Sequence, residues 1–289
     1  MTTPMPTNQL REMLRRIGLQ RPVRVDAGSL RDLHRAWRQQ VPYENVDIQL
    51  GRPISLDQDR LHEKIVKRRR GGYCFEQNGA LAVLLRASGF QVTLVEGAVL
   101  REQRGEDTWG NHNVLLVDVG LDRWVADGGI GDGFLDPIPL REGVHHQDGY
   151  DYRLERLDSS TWRFHHHPGG SIASYDFRTE PRTLADFSAR NLALSTSPDS
   201  PYVRLLVIAR SVGGETLLLV SRTLRRIGPD GASARTIPDK DEFARVLADE
   251  LLVPVGDIGA DGVDRLWAAA SEQHDGWLQH SRAVRGRDR

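Results

Sequence analysis

The chain holds a single cysteine, Cys74, in the stretch Arg69-Arg70-Gly71-Gly72-Tyr73-Cys74-Phe75-Glu76-Gln77-Asn78. Its sulfur reacts as the thiolate, which free backbone N–H groups and the dipole stabilise at a helix N-terminus. The surrounding residues predict that placement. Gly71 and Gly72 allow a tight turn, and Phe75, Leu81, Leu84 and Leu85 then recur at helical spacing until Ser88-Gly89. The two arginines add to the positive field. A lone cysteine can also be a small buried hydrophobe. A thiol placed after Gly-Gly at a helix start points instead to an exposed, activated position.

A cysteine nucleophile needs a base, and the base needs an orienting group. Among ten histidines, His112 opens the apolar run Val114-Leu115-Leu116-Val117, which reads as a strand buried on both faces. A second short run, Arg123-Trp124-Val125-Ala126, ends in Asp127 before the Gly-rich Gly128-Gly129-Ile130-Gly131-Asp132-Gly133. Joined through Gly120-Leu121-Asp122, the two strands form a hairpin that brings His112 and Asp127 side by side. The competing readings are a satisfied core histidine and a turn aspartate.

The elements that must carry these groups follow from periodicity. Residues 7–89 read as helices: Leu10, Met13, Leu14 and Ile17 line one, stopped by Gly18. Leu30, Leu33 and Trp37 line a second capped by Ser29, and a third spans about Leu56 to Lys67. Lys67-Arg68-Arg69-Arg70 reads as cations at a helix C-terminus in water, with phosphate binding as the alternative. From Gln91 to about Ser197 short strands dominate: Val92–Leu100, His112–Val119, Arg123–Ala126, Tyr152–Leu157, Trp162–His166 and Ile172–Arg178. That spacing suggests a small antiparallel barrel or sandwich. His165-His166-His167 and His145-His146 are read as surface strand ends rather than metal ligands, since neighbours on a strand point to opposite faces. Asn191 to Pro201 reads as a linker. Beyond it come strands Tyr202–Arg210 and Glu215–Leu224, then helices Asp241–Leu252 and Val263 to about Trp277. Leu247, Leu251, Leu266, Trp267 and Trp277 face the sheet.

The 289 residues carry 39 basic against 40 acidic side chains, a formal charge of −1, so no global basic field recruits nucleic acid or acidic lipid. One cysteine excludes an internal disulfide and suits a reducing cytosol. With no leader pattern and no membrane-length apolar run, the expected location is cytoplasmic.

The ordered motifs Arg70-Gly71-Gly72-Tyr73-Cys74-Phe75-Glu76-Gln77-Asn78, His112 on the following strand pair and Asp127 before a Gly-x-Gly loop resemble the arylamine N-acetyltransferase family. Val41-Pro42-Tyr43-Glu44-Asn45-Val46-Asp47 is similar to its Pro-Phe-Glu-Asn-Leu-Asp signature. Asn191-Leu192-Ala193-Leu194-Ser195-Thr196-Ser197-Pro198-Asp199-Ser200-Pro201 is similar to its connection into a third domain. The resemblance spans roughly residues 8–210. It implies an α+β fold: an N-terminal helical bundle (1–90), a central antiparallel β-barrel (91–198) and a C-terminal α/β lid (199–289). It further implies Cys74, His112 and Asp127 as a catalytic triad, with ping-pong acetyl transfer from acetyl-CoA through a thioester, no metal, and a small-molecule amine as acceptor. By the same resemblance Arg70 bonds Glu44. Thr108, Gly129, Gly131 and Ser200 approach coenzyme A, and Tyr43 and Ile130 line the acceptor pocket. The chain departs from the family pattern at Gly128 for Val, Ile130 for Phe and Asn111 for Thr, so an aromatic wall is lost at Ile130. The related amide synthases of polyketide macrolactams, which take a carrier-bound acyl chain, are the alternative activity. A thiol hydrolase is a further one, and the expected assembly is a monomer or homodimer.

Overall fold

In the computed structural model, which describes residues 7–20 and 23–287, helices α1 (Thr7–Arg16) and α2 (Ala27–Gln40) open the chain. Asp26, rather than Ser29, caps α2: its carboxylate accepts the Ser29 N–H at 2.7 Å. Ser29 lies inside the first turn, where its own N–H is one of the donors needing a partner. Strand β1 (Tyr43–Glu44) and the single turn α3 (Val46–Gln49) follow. Next come α4 (Gln58–His62), continued by a π-turn through Lys67, and α5 (Cys74–Ala87).

Two antiparallel sheets follow, with further helices between and after their strands. The first is barrel-like and has eight strands: β2 (Gln91–Val99), β3 (His112–Val119), β4 (Asp122–Ala126), β5 (Ile138–Pro139), β6 (Gly143–Gln147), β7 (Tyr150–Arg156), β8 (Thr161–His165) and β9 (Ser174–Arg182). Their order is β5-β4-β3-β2-β9-β8-β7-β6. The apolar run in β3 serves two cores by simple alternation. Val114 and Leu116 join Val95, Phe164, Tyr175 and Phe177 within this sheet, while Leu115 and Val117 pack with Leu30, Trp37, Leu81 and Leu85 of the helices. Each such fully buried side chain contributes roughly 1.5–3 kcal/mol, so β3 fastens the helices to the sheet.

The second sheet has the order β1-β10-β11-β12-β13, with β10 (Val207–Val212), β11 (Glu215–Val220), β12 (Thr223–Gly228) and β13 (Gly231–Thr236). The expected strand Glu215–Leu224 is thus a hairpin, turned at Ser221, whose φ is 52°. The expected strand Tyr202–Arg210 begins only at Val207. The residues expected to form a linker instead form helices, α7 (Ser188–Thr196) and the short α8 (Pro201–Arg204); α6 (Arg101–Arg104) lies earlier, between β2 and β3. Ser200 caps α8, its Oγ accepting the Tyr202 N–H at 3.2 Å, and the Asn191 amide donates to the Ile54 carbonyl at 3.1 Å, so the polar residues of this segment fasten helices rather than open a loop. The C-terminal helices are α9 (Lys240–Arg245), α10 (Val255–Ile258) and α11 (Ala260–Arg287). Leu247, Leu251 and Leu266 are buried as expected, but Trp277 is 60% exposed and does not face the sheet core as expected. Among the described residues no helix is long and apolar enough to cross a membrane.

His166 and His167 are buried, not surface strand ends. Strand β8 stops at His165, so these two leave the alternation and pack among Tyr150, Tyr152 and Phe164. Two arginines of the cluster are also paired rather than solvated. Arg68 binds Asp257 at 2.7 Å, and Arg70, fully buried, binds Glu44 at 2.8 Å, Asp47 at 3.3 Å and Asp257 at 3.0 Å.

Candidate active site

Cys74 is the first residue of α5, as its sequence context predicts. The two glycines before it answer a different need from the expected turn. A Cβ on Gly71 would stand 1.8 Å from the Pro42 carbonyl oxygen, and one on Gly72 would stand 2.6 Å from the Glu76 Cβ. They let β1 and α5 touch; the left-handed residue of the turn is Arg69, with φ 55°. Glu76 closes the helix start by accepting the Tyr73 N–H at 3.2 Å, and Lys64 holds its other oxygen at 2.7 Å.

His112 begins β3, and Asp127 follows the last residue of β4. The β3–β4 pairing brings them together, with His112 Nε2 2.8 Å from Asp127 Oδ2. Three further elements hold the aspartate. Asn78, one turn after Cys74 on α5, donates to Asp127 Oδ1 at 2.8 Å and to the Asn113 carbonyl at 2.6 Å, and accepts the Gly128 N–H at 2.8 Å. The Gly129 N–H donates to Oδ1 at 2.8 Å. From α2, His34 Nε2 accepts the Asp127 N–H at 3.0 Å while its Nδ1 meets the Leu135 carbonyl at 2.7 Å. One turn on, Arg38 donates to the carbonyls of Ile130 (2.5 Å), Gly131 (3.0 Å) and Gly133 (3.2 Å), so the Gly-rich loop wraps a buried guanidinium.

Charge follows from these contacts. Burial alone would raise the Asp127 carboxyl, but His112, Asn78 and the Gly129 N–H outweigh it and hold it below its ordinary value. An ionised carboxylate only accepts, so His112 Nε2 carries the hydrogen and Nδ1 is the basic nitrogen. Burial, helped by Asp127, pushes the Cys74 thiol well up; the Phe75 N–H and Tyr202 act against this. The helix N-terminus alone therefore does not produce a free thiolate, because Cys74 is 1% exposed rather than solvated as its sequence suggested. Its S–H faces the Asn111 carbonyl at 3.9 Å. Gly129 lies between Cys74 and His112: a Cβ there would be 2.9 Å from Cys74 Cα and 3.0 Å from His112 Cε1.

A cavity of about 270 Å³ opens at this point, lined by His112, Tyr43, Gly129, Ile130, Gly131 and Tyr202, with Val99, Leu205 and Val207 among its apolar walls. Of the remaining expected cofactor contacts, Thr108 and Ser200 are buried outside this lining. The Thr108 hydroxyl donates to the Gly105 carbonyl at 2.7 Å, and that of Ser200 donates to Leu194 at 2.5 Å. The Gly128 departure has a neighbour to explain it: a Cβ there would come within 3.0 Å of the Trp37 indole nitrogen, so Trp37 fills the space of a larger residue. Asn111 replaces a ladder pair, bonding both the N–H and the carbonyl of Val99. Sequence reasoning missed Asn78, His34, Arg38 and Tyr202. Only Asn78 had a legible signal, its position four residues after Cys74 on one helix face.

Helices packed on two antiparallel sheets bring a buried cysteine beside a histidine–aspartate pair. A family model described as N-acetyltransferase matches residues 26–258. The arylamine N-acetyltransferase / N-hydroxyarylamine O-acetyltransferase of Salmonella typhimurium is 32% identical, over 80% of this chain and 83% of its own. The arylamine N-acetyltransferase of Mycolicibacterium smegmatis is 38% identical, over 68% and 74%. The structure of the Mycobacterium marinum arylamine N-acetyltransferase in complex with CoA superposes with a TM-score of 0.83 at 27% identity, covering 91% of this chain and 98% of that one. The chain belongs to the arylamine N-acetyltransferase family and is an acetyl-transferring enzyme.

Proposed function

We propose that the chain transfers an acetyl group from acetyl-CoA, through a thioester on Cys74, to the nitrogen of an arylamine, arylhydrazine or N-hydroxyarylamine, with O-acetylation of the last also within its chemistry. The observation that carries this reading is the apposition of Cys74 and His112 across Gly129, with Asp127 behind the imidazole, at the wall of a cavity. His112 Nδ1 takes the thiol proton as Sγ attacks the acetyl carbonyl, and Asp127 supports the imidazolium that forms. The bond to the coenzyme A sulfur breaks, and that sulfur leaves with the proton from His112. One thioester replaces another, so this step is nearly balanced. An amine then attacks the acetyl-Cys74 carbonyl, His112 removes its proton, the bond from the carbonyl to Cys74 Sγ breaks and the sulfur takes that proton back from His112, and formation of the amide drives the reaction. Gly129 and Gly131, which line the cavity, and Thr108 and Ser200 are the proposed coenzyme contacts; Tyr43 and Ile130 are the proposed acceptor contacts. The division into 1–90, 91–198 and 199–289 belongs to the same reading, with the nucleophile on the first part and its partners on the second.

Intact-mass spectrometry after mixing with acetyl-CoA tests it. One acetyl group should appear, located on Cys74 by peptide mapping, and should discharge on adding an arylamine. No acetyl, or one on another residue, refutes the thioester.

A further inference from the structure

Residues 166–173, which join β8 to β9, separate two cavities. On the inner side Ser171 and Ile172 line the cavity of about 270 Å³ together with His112 and Ile130. On the outer side His167, Pro168 and Gly169 line a cleft of about 400 Å³, bounded also by Ile227, Gly228 and Pro229. Backbone bonds close the base of this loop, from the His166 N–H to the Ala173 carbonyl at 3.0 Å, and fold it inward, from the Gly170 N–H to the His167 carbonyl at 2.9 Å. Among the described residues, the hydrogen bonds from 168–172 to the protein beyond the loop are the two that Ser171 makes to Asp132. Its N–H donates to Oδ2 and its hydroxyl to Oδ1, both at 2.6 Å. Asp132 is itself held in place: it is buried in the Gly-rich loop, where Arg38 grips the carbonyls of Gly131 and Gly133 on either side. The His166 imidazole lies 3.6 Å from Oδ1 and directly against Gly170, on which a Cβ would stand 2.0 Å from Nδ1. Burial alone would raise the Asp132 carboxyl, but His166 and Ser171 outweigh it and keep the group ionised.

We propose that Asp132 and Ser171 form a latch that sets the size of acceptor the enzyme takes. With both bonds made, Ile172 walls a cavity fit for a single-ring amine; when they break, the loop moves toward the outer cleft and admits larger amines. The choice of acceptor rests on the reading of Cys74 as the acetyl carrier. A dry cavity of roughly 150 Å³ holds a benzene ring, so the 270 Å³ here takes one ring with its amine and a substituent, and not a fused three-ring system. Space for the movement lies on the far side, where the cleft is the larger of the two. Hydrogen bonds to an ionised carboxylate are stronger than those to a neutral group, so two of them hold an otherwise unattached loop tip closed. Asp132 and Ser171 are positioning residues: they act on the acceptor through Ile172.

The test uses Ser171→Ala, which removes one bond at an exposed position, Asp132→Asn, which weakens both, and Ser171→Thr, which keeps the hydroxyl. Each protein meets a small and a bulky reagent in two assays. The first is alkylation of Cys74 by N-methylmaleimide and by N-(1-pyrenyl)maleimide. The second is discharge of acetyl-Cys74, prepared beforehand and freed of coenzyme A, by aniline and by 2-aminoanthracene. Ser171→Ala and Asp132→Asn should speed the bulky reagent about tenfold relative to the small one in both assays, while the small one changes less than about twofold. Ser171→Thr should match the wild type. An unchanged ratio in Ser171→Ala overturns the latch, and so does an equal gain for both reagents, which is what a generally loosened fold would give. A wild type that takes up no acetyl, while Ser171→Ala still shifts the maleimide ratio, refutes the thioester reading and leaves the latch standing. Acetyl uptake on Cys74 with unshifted ratios does the reverse.

Discussion

His34 makes protein stability depend on pH between its ordinary titration point and its lowered one in the folded protein. It is fully buried on α2, and its two ring nitrogens are committed in opposite senses. The Leu135 carbonyl can only accept, so Nδ1 carries the hydrogen; Nε2 then accepts the Asp127 N–H and has no room for a second proton. Burial pushes this histidine down from its ordinary 6.5 to about 4. Between those values the unfolded chain binds a proton that the folded chain refuses, so stability rises with pH across the window. The contribution is fully present above about pH 6.5 and is lost as pH falls toward 4. A shift of this size corresponds to about 3 kcal/mol in total, of which about 2 kcal/mol is gone by pH 5. The assay is urea denaturation at pH 7.5, 6.5, 5.5 and 5.0 for the wild type and His34→Gln. Glutamine can both accept and donate but does not titrate. The advantage of the wild type over the variant should shrink by about 2 kcal/mol between pH 7.5 and 5.0. Parallel pH dependences for the two proteins would refute the locked, neutral imidazole.

Two substitutions probe the site itself. Gly129→Ala places a methyl 2.9 Å from Cys74 Cα and 3.0 Å from His112 Cε1. It should cost about 1–3 kcal/mol of stability by overpacking and slow Cys74 acetylation at least a hundredfold or so by parting thiol from base, measured by melting and single-turnover mass spectrometry. Ile130→Phe adds an aromatic face worth about 0.5–1.5 kcal/mol to a cavity wall that has an aliphatic one. Deacetylation of acetyl-Cys74 by a small flat arylamine should speed up several-fold and by a bulky amine slow down, while an equal slowing of both half-reactions would mean that Ile130 only supports the loop.

The local patterns that sequence carries were sufficient to place Cys74 and the His112–Asp127 pair. A glycine pair before a helical apolar period located Cys74 at a helix start, and two strand-like runs joined by a short turn located His112 beside Asp127. Both depend on residues close in the chain, where periodicity and turn chemistry decide. Tertiary structure decided what surrounds them. Tyr43-Glu44 pairs with β10, from a segment more distant than any periodicity reaches, and so forms the edge of the C-terminal sheet. The register of that pairing helps set Tyr43 beside Tyr202, in a segment whose composition suggested only a linker and a strand. His34 and Arg38 are four apart on α2, yet nothing in that spacing names the loop they grip. The state of the thiol was also decided there. A helix N-terminus favours the thiolate, but taking the sulfur out of water disfavours it, and the packing of α5 against β3 and the Gly-rich loop makes that second effect the larger. The proton on Cys74 is consequently governed by desolvation and by its neighbours across the cavity, which the chain's order alone does not specify.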